Sequence, residues 1–196
     1  MKENKNCFVY GIDEFLNNNI QKLDKYKVAD LNTFDFDIDF NEFDYVLLLD
    51  VIEHLSSPEE FLKKLYSKMS LNPDCKLIIS TPNVANIFIR LMLLFGNFNY
   101  GSRGILDRTH TRLFTKSTFV KIMEENNFKN ITFRFIPIPI PLVTHNKVIA
   151  KIGMKVQKIL NIFFGKIFSF QFLIVSKPNP SLEYLISEAE KNQGKE

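Results

Sequence analysis

The sequence predicts an α/β fold built on a sheet that is parallel in its main part, and three observations carry the prediction. Short apolar runs alternate with segments of helical periodicity along most of the 196 residues, the pattern of strand–helix–strand units. Within Phe43–Leu55, FDYVLLLDVIEHL, the run Tyr45–Leu49 leaves no residue for a solvent face, as in strands covered by helices on both sides. The same run stops at Asp50 and then at Glu53 and His54. Polar side chains are thus delivered at a strand's carboxyl end, where ligands of such sheets bind.

The elements follow in order. Cys7–Ile12 reads as a short strand ending at Asp13, followed by a helix through Phe15, Ile20 and Leu23; Lys27–Ala29 is a weaker strand ending at Asp30. Phe34, Phe36, Ile38 and Phe40 alternate with Asp35, Asp37 and Asp39. The alternation resembles the start of a calcium loop but has Phe40 where that loop needs Gly and Val46 where it needs Glu, so it is read as a solvated connection with aromatic anchors. After the opening strand, Ser57 as N-cap, Pro58 at the first position and Glu60 closing a capping box start a helix whose apolar face is Phe61, Leu62, Leu65 and Met69. Lys76–Ser80 is the next strand and Thr81-Pro82-Asn83 breaks it. A helix over Val84–Phe95 ends at Gly96, and a loop over Asn97–Ile105 leads into DRTHTRLFT, residues 107–115. Thr115 caps a helix running to Glu125. Ile131–Phe135 is a strand, Ile136–Leu142 alternates Pro with Ile, a helix covers about Lys147–Phe164, and Phe170–Val175 is the last strand.

Domain organisation is expected to be one domain over 1–178 and a polar tail over 179–196. The net charge of +3 is too small to point to nucleic acid. Charge is unevenly spread, however: Asn126–Leu182 contains no Asp or Glu and eight Lys or Arg residues, so the two ends face different surroundings. Cys7 and Cys75 have neither CxxC nor zinc-ligand spacing and fit a reducing cytoplasm. No apolar run is long enough for a signal peptide or a spanning helix.

FDYVLLLDVIEHL, the STPN at 80–83, DRTHTRLFT at 107–115 and FQFLIVSKP at 170–178 together resemble class I S-adenosylmethionine-dependent methyltransferases, most closely the type that accompanies polysaccharide and glycosyltransfer genes. The resemblance covers roughly residues 7–178. It implies a Rossmann-like, doubly wound sheet of strand order 3-2-1-4-5-7-6 with strand 7 antiparallel, and S-adenosylmethionine as cofactor. It also implies roles for single residues. Asp13 takes the ribose hydroxyls, for which a carboxylate suits because it accepts two hydrogen bonds; Asp30 accepts from the adenine amine and Leu31 packs on the ring; Asp50 and Val51 stand beside the methionine part. The family's Gly-rich loop after strand 1 has no counterpart, since the seven glycines form no GxG. The chain is therefore expected to begin just before strand 2, with the first strand and its loop missing. Two strand edges would then be left unpaired, for an upstream segment or a partner chain to complete. The missing glycine fingerprint also counts against a nicotinamide-dependent enzyme.

Methyl transfer to an oxygen or nitrogen of a small molecule or glycan precursor is the activity the resemblance implies, and an oxygen acceptor needs a base. Imidazole titrates in the right range. His110 is the candidate, because its loop comes after Lys76–Ser80, the family's strand 5, and is long enough to fold over the cofactor site; its alternative is a structural loop pinned by Asp107 to an arginine. Arg108 and Arg112 could grip a carboxylate or diphosphate on the acceptor. His54 is the second catalytic candidate, against a structural role at the start of a helix. Asn83 either caps the next helix or touches the acceptor, and His145 is given no role. Asp50, Glu53 and His54 lie close in sequence, but no metal is expected. An alternative to the enzyme is a truncated, non-catalytic module that cannot hold cofactor alone.

Finally, Lys151, Lys155 and Lys158 share one face of the basic helix, while Val148, Ile152, Val156, Ile159 and Phe163 form an apolar stripe. The stripe is expected to pack on the sheet. The alternative is a cytoplasmic protein whose residues 147–168 lie peripherally on the inner face of an anionic membrane.

Overall fold

The computed structural model describes residues 7–16, 22–138 and 146–193 and divides into two compact units, Met1–Asp39 and Phe40–Glu196. In the first unit, β1 (Tyr10–Asp13) and β2 (Lys25–Val28) pair in parallel, Asp13 opposite Val28. β1 starts later than Cys7, and β2 ends before Asp30, which falls in the following turn. Most of the helix expected through Phe15, Ile20 and Leu23 lies outside the described residues. The acidic connection has the expected character: Phe36 is buried with its ring 4.4 Å from that of Phe34, and Asp35, Asp37 and Asp39 are exposed.

The second unit holds a four-stranded sheet of order β3-β4-β6-β5, formed by β3 (Tyr45–Leu49), β4 (Lys76–Pro82), β5 (Phe128–Ile136) and β6 (Gln171–Pro178). β3 and β4 are parallel, and β6 runs antiparallel to both its neighbours. This is the 4-5-7-6 portion of the order implied by the resemblance, with the last strand reversed. Both expected strands near the end proved longer than their apolar cores suggested, because ladder hydrogen bonds continue into Lys177 and Pro178 on one strand and Phe128 and Lys129 on the other.

Strand alternation sorts these residues onto two faces. On one, Leu48, Ile79, Ile174 and Phe172 are buried. Helix α1 (Pro58–Met69) reaches this face through Tyr66, whose ring meets Phe128 edge to face, and α3 (Lys116–Glu125) lies on β5. On the other face, Tyr45, Leu47 and Leu49 are 53%, 42% and 50% exposed. The expectation that Tyr45–Leu49 is covered on both sides is therefore corrected. β3 stands at the end of its sheet, and no strand pairs with its outer edge among the described residues.

Local chemistry decides the helix starts. Ser57 precedes α1 as expected, but its side chain makes no cap bond, and Glu60 pairs with Lys64 at 3.3 Å instead of closing a capping box. The apolar face of α1 is buried as read. Thr115 does cap α3, in a reciprocal box with Thr118. Helix α2 (Ile87–Leu94) starts later than Val84 because Asn86 takes the cap position, its Oδ1 accepting from the Phe88 amide at 3.0 Å. Gly96, at φ +74°, follows the helix in the left-handed conformation that favours glycine.

Helix α4 (Lys147–Phe168) reverses an expectation. Among its described side chains the buried positions are Gln157, Asn161 and Gly165, while Val148, Ile152, Val156, Ile159 and Phe163 are exposed. Gly165 explains the choice of face: a Cβ there would lie 2.3 Å from the Phe135 ring of β5, so glycine permits a close approach that a side chain would block. The apolar stripe thus points away from the sheet it was expected to pack on. The polar tail carries α5 (Leu182–Gln193). No helix of the described residues is long and apolar enough to cross a membrane.

Candidate functional site

The carboxyl end of β3 delivers the polar residues as the sequence suggested. Asp50 has φ +54°, a left-handed conformation that Asp tolerates better than most residues. Each oxygen of its carboxylate has a partner: Oδ1 accepts from Ser80 Oγ at 2.9 Å and Oδ2 from Gln171 Nε2 at 2.8 Å. One side chain thereby ties β3 to β4 and β6. Val51 is half-buried, and the chain then makes a single 3-10 turn, Ile52–His54, that buries Ile52 and Glu53 and leaves His54 exposed.

The segment 107–115 docks on that turn chiefly through the Glu53 carbonyl, and the Thr111 hydroxyl also donates to Leu55 O at 2.6 Å. Glu53 O accepts from the Thr111 amide at 2.8 Å, the Arg112 amide at 3.1 Å and the Thr111 hydroxyl at 3.1 Å. Arg112 forms an ion pair with Glu59 of α1, and Arg108 is exposed. Asp107 is not pinned to an arginine: its Oδ1 accepts from the amide and hydroxyl of Thr109, which hold its carboxyl below the usual range.

This docking brings His54 and His110 together, with ring centroids 4.8 Å apart and the rings edge to face. Each imidazole is oriented by a backbone carbonyl. His54 Nδ1 lies 3.2 Å from Thr109 O and His110 Nδ1 2.9 Å from Ile105 O. A carbonyl only accepts, so each Nδ1 carries the hydrogen in the neutral ring and each Nε2 keeps its lone pair. Beside them, the Glu53 carboxyl is 1% exposed and neither oxygen has a hydrogen-bond partner. Burial, helped by nearby Asp50, raises its pKa to about 7 against the lowering effects of its own backbone amide and of the buried Thr81 hydroxyl nearby.

Asn83 is fully buried, its Nδ2 donating to the carbonyls of Lys166 and Ser169 and its Oδ1 accepting from the Ala85 amide. It holds β4 to the end of α4, and the helix cap falls to Asn86. Next to the His110 loop, a largely apolar cavity of about 840 Å³ is lined by Ile87, Ile89, Met92, Ile105, Leu160 and Phe170 among others. In the first unit, Asp13 Oδ1 accepts from the Phe15 amide at 3.3 Å, Asp30 Oδ1 accepts from the amide and side chain of Asn32, and Leu31 is half-buried. Reading along the sequence missed Ser80, Gln171 and Thr111. All three stand inside motifs already singled out, but Gln171 meets Asp50 only through the antiparallel return of β6.

The family model described as a methyltransferase domain matches residues 3–132. No curated protein matches the chain. Among solved structures, an S-adenosylmethionine-dependent methyltransferase from Methanosarcina mazei is 14% identical, covering 88% of this chain and 82% of its own at a TM-score of 0.51. One from Mesorhizobium loti is 13% identical, covering 87% and 80% at 0.51. PKMT2 from Rickettsia typhi, solved in complex with AdoHcy, is 13% identical, covering 88% and 44% at 0.50. At these identities the structures show a shared fold, and the match over 3–132 shows the family: the chain belongs to the methyltransferase domain family.

Proposed function

We propose that this chain takes part in S-adenosylmethionine-dependent methyl transfer to an oxygen or nitrogen of a small molecule or glycan precursor, with His110 as the base. The observation that carries the reading is the pair of imidazoles at the tip of β3, each with Nδ1 satisfied and Nε2 left basic. Family membership supplies the reaction class. The type associated with polysaccharide genes rests on sequence resemblance.

The residues present fit the adenosine part of the cofactor by their donor chemistry. Asp13 and Asp30 each use Oδ1 locally and leave Oδ2 to receive a ribose hydroxyl or the adenine amine, with Leu31 to pack on the ring. The resemblance assigns Asp50 to the methionine part, and its carboxylate accepts from Ser80 and Gln171. When bound, the cofactor supplies an electrophilic methyl group on a sulfonium. His110 Nε2 would take the acceptor's proton, and Arg108, exposed in the same loop, would meet an anionic group on it. The cavity beside Ile105 suits an acceptor with an apolar part.

Two further parts of the reading concern surfaces. The outer edge of β3, with Tyr45, Leu47 and Leu49 exposed beside it, fits a strand supplied by a preceding segment or a partner chain. The exposed stripe of α4, flanked by Lys151, Lys155 and Lys158, fits peripheral contact with an anionic membrane on its cytoplasmic side. Flotation with anionic vesicles at low salt should carry the protein, and Ile159→Glu with Phe163→Glu should release it; no flotation of the wild type removes this part.

Isothermal titration with S-adenosylmethionine or its demethylated product tests the central reading. Micromolar binding that Asp13→Ala weakens about tenfold or more is expected. Absence of binding would favour the alternative, a non-catalytic module that cannot hold cofactor alone.

A further inference from the structure

We propose that Glu53, His54 and His110 form a binding site for a divalent transition-metal ion. One ligand atom from each of the three side chains lies within 4.8 Å of the others, close enough for a single ion to draw them in to bonding distance. The sequence had suggested no metal, because the acids and histidine near Asp50 lie on one short stretch. The third ligand comes from a loop that only the fold brings there.

Four features make this more than proximity. Both imidazoles have Nδ1 on a backbone carbonyl, which fixes the tautomer and presents Nε2 as a donor; ligating histidines are commonly oriented in this way. The Glu53 carboxyl is almost wholly buried with both oxygens unpartnered, a costly arrangement that a cation would relieve. Glu53 and Thr111 are tied through the Glu53 carbonyl, so the two segments bearing the ligands are fixed to each other before any ion arrives. His54 is exposed and His110 half-buried, which gives an ion a path from solvent.

Ligand chemistry narrows the ion. Two imidazoles and one carboxylate suit Zn²⁺, Mn²⁺, Fe²⁺ or Co²⁺ better than Ca²⁺ or Mg²⁺, which favour oxygen. Three protein ligands leave positions for water or another molecule. Asp50 lies near Glu53 but is spent on Ser80 and Gln171, so it is not counted as a ligand. The inference shares His110 with the proposed reaction, but binding of the ion does not rest on methyl transfer. Its one consequence for that reaction is that an occupied imidazole is a ligand and no longer a free base.

The full chain, stripped of metal with a chelator, is titrated with ZnCl₂ by calorimetry and with CoCl₂ by visible absorption, with no S-adenosylmethionine present. One equivalent of Zn²⁺ should bind, Co²⁺ should develop the d–d bands of a low-symmetry nitrogen and oxygen site, and Zn²⁺ should bleach them. Glu53→Gln, His54→Ala and His110→Ala should each weaken Zn²⁺ binding at least tenfold, whereas His145→Ala should not. The cobalt spectrum of the unaltered chain needs no variant, so a misfolded mutant cannot hide the answer. Absence of those bands, or Zn²⁺ binding undiminished by His110→Ala, overturns the proposal. Cofactor binding without metal binding would sink this site and leave the proposed reaction standing; metal binding without cofactor binding would do the reverse.

Discussion

Strand β3 is apolar on both faces of the four-stranded sheet, yet the two faces have opposite fates. Leu48, Ile79 and Ile174 form a row that is 7%, 0% and 0% exposed, whereas Leu47, their neighbour along β3, is 42% exposed and its partners Ile78 and Val175 are half-buried. The difference lies in the covering layer. Helix α1 follows β3 in the chain and α3 precedes β5, and both fall on the first face; among the described residues nothing comparable covers β3 on the second. Apolar composition therefore records that a strand was made to be covered on both sides. It does not say which segment provides the cover.

The contrast can be broken or sharpened by experiment. The largest expected effect is on the sealed face: Phe172→Ala should cost about 3–5 kcal/mol, the range for a buried Phe that leaves a cavity. Leu47→Ala on the open face should cost less than about 1 kcal/mol. Urea unfolding of both variants checks the pair. Equal costs would mean that the open face is covered in solution, by a second chain or by another segment.

Next comes the buried acid at the rim of the sealed face. In the metal-free protein the folded pKa of Glu53, about 7, lies above its ordinary value of 4.5. Below 4.5 both states hold the proton. As pH rises from there to 7, the unfolded chain releases it and the folded chain does not, so stability falls as pH rises. Above 7 the penalty is complete, up to about 3 kcal/mol. Glu53→Gln should thus be more stable than the wild type at pH 8 in chelator and close to it at pH 4. Denaturation midpoints at the two values give the comparison, and a variant that gains nothing at pH 8 would mean the carboxylate is paired in solution.

The smallest effects separate the two covering helices. Thr115→Ala removes a formed cap from α3 and should cost about 1 kcal/mol. Ser57→Ala removes a side chain that caps nothing and should stay within about 0.5 kcal/mol. Thermal unfolding of both resolves the difference, and a larger loss for Ser57→Ala would show that its hydroxyl closes on the α1 amides in solution.

Much of this fold was legible in the sequence because its signals are local. Tyr45–Leu49 announces itself by composition, Thr115 and Gly96 by their chemistry, and Phe61, Leu62, Leu65 and Met69 by spacing. The capping box at Ser57 failed because Glu60 had a competing partner four residues away, which pattern alone does not weigh. The outward turn of the α4 stripe was not legible either. It depends on the fit between Gly165 and the Phe135 ring, a contact set by shape. At the site, Asp50, His54 and His110 were each visible as residues. That His54 and His110 meet was not, since their approach depends on hydrogen bonds gathered on the Glu53 carbonyl, an atom every residue carries and no motif marks.

That carbonyl also sets a clock. The amides of Thr111 and Arg112 both end on Glu53 O, so neither segment can move away without releasing the two together. Their hydrogens should show a common protection against exchange with deuterium, set by the opening in which the 107–115 segment lifts from the 3-10 turn. Anything that binds across His54 and His110 must slow both amides by the same factor, so the free energy of binding can be read from backbone groups that never touch the ligand.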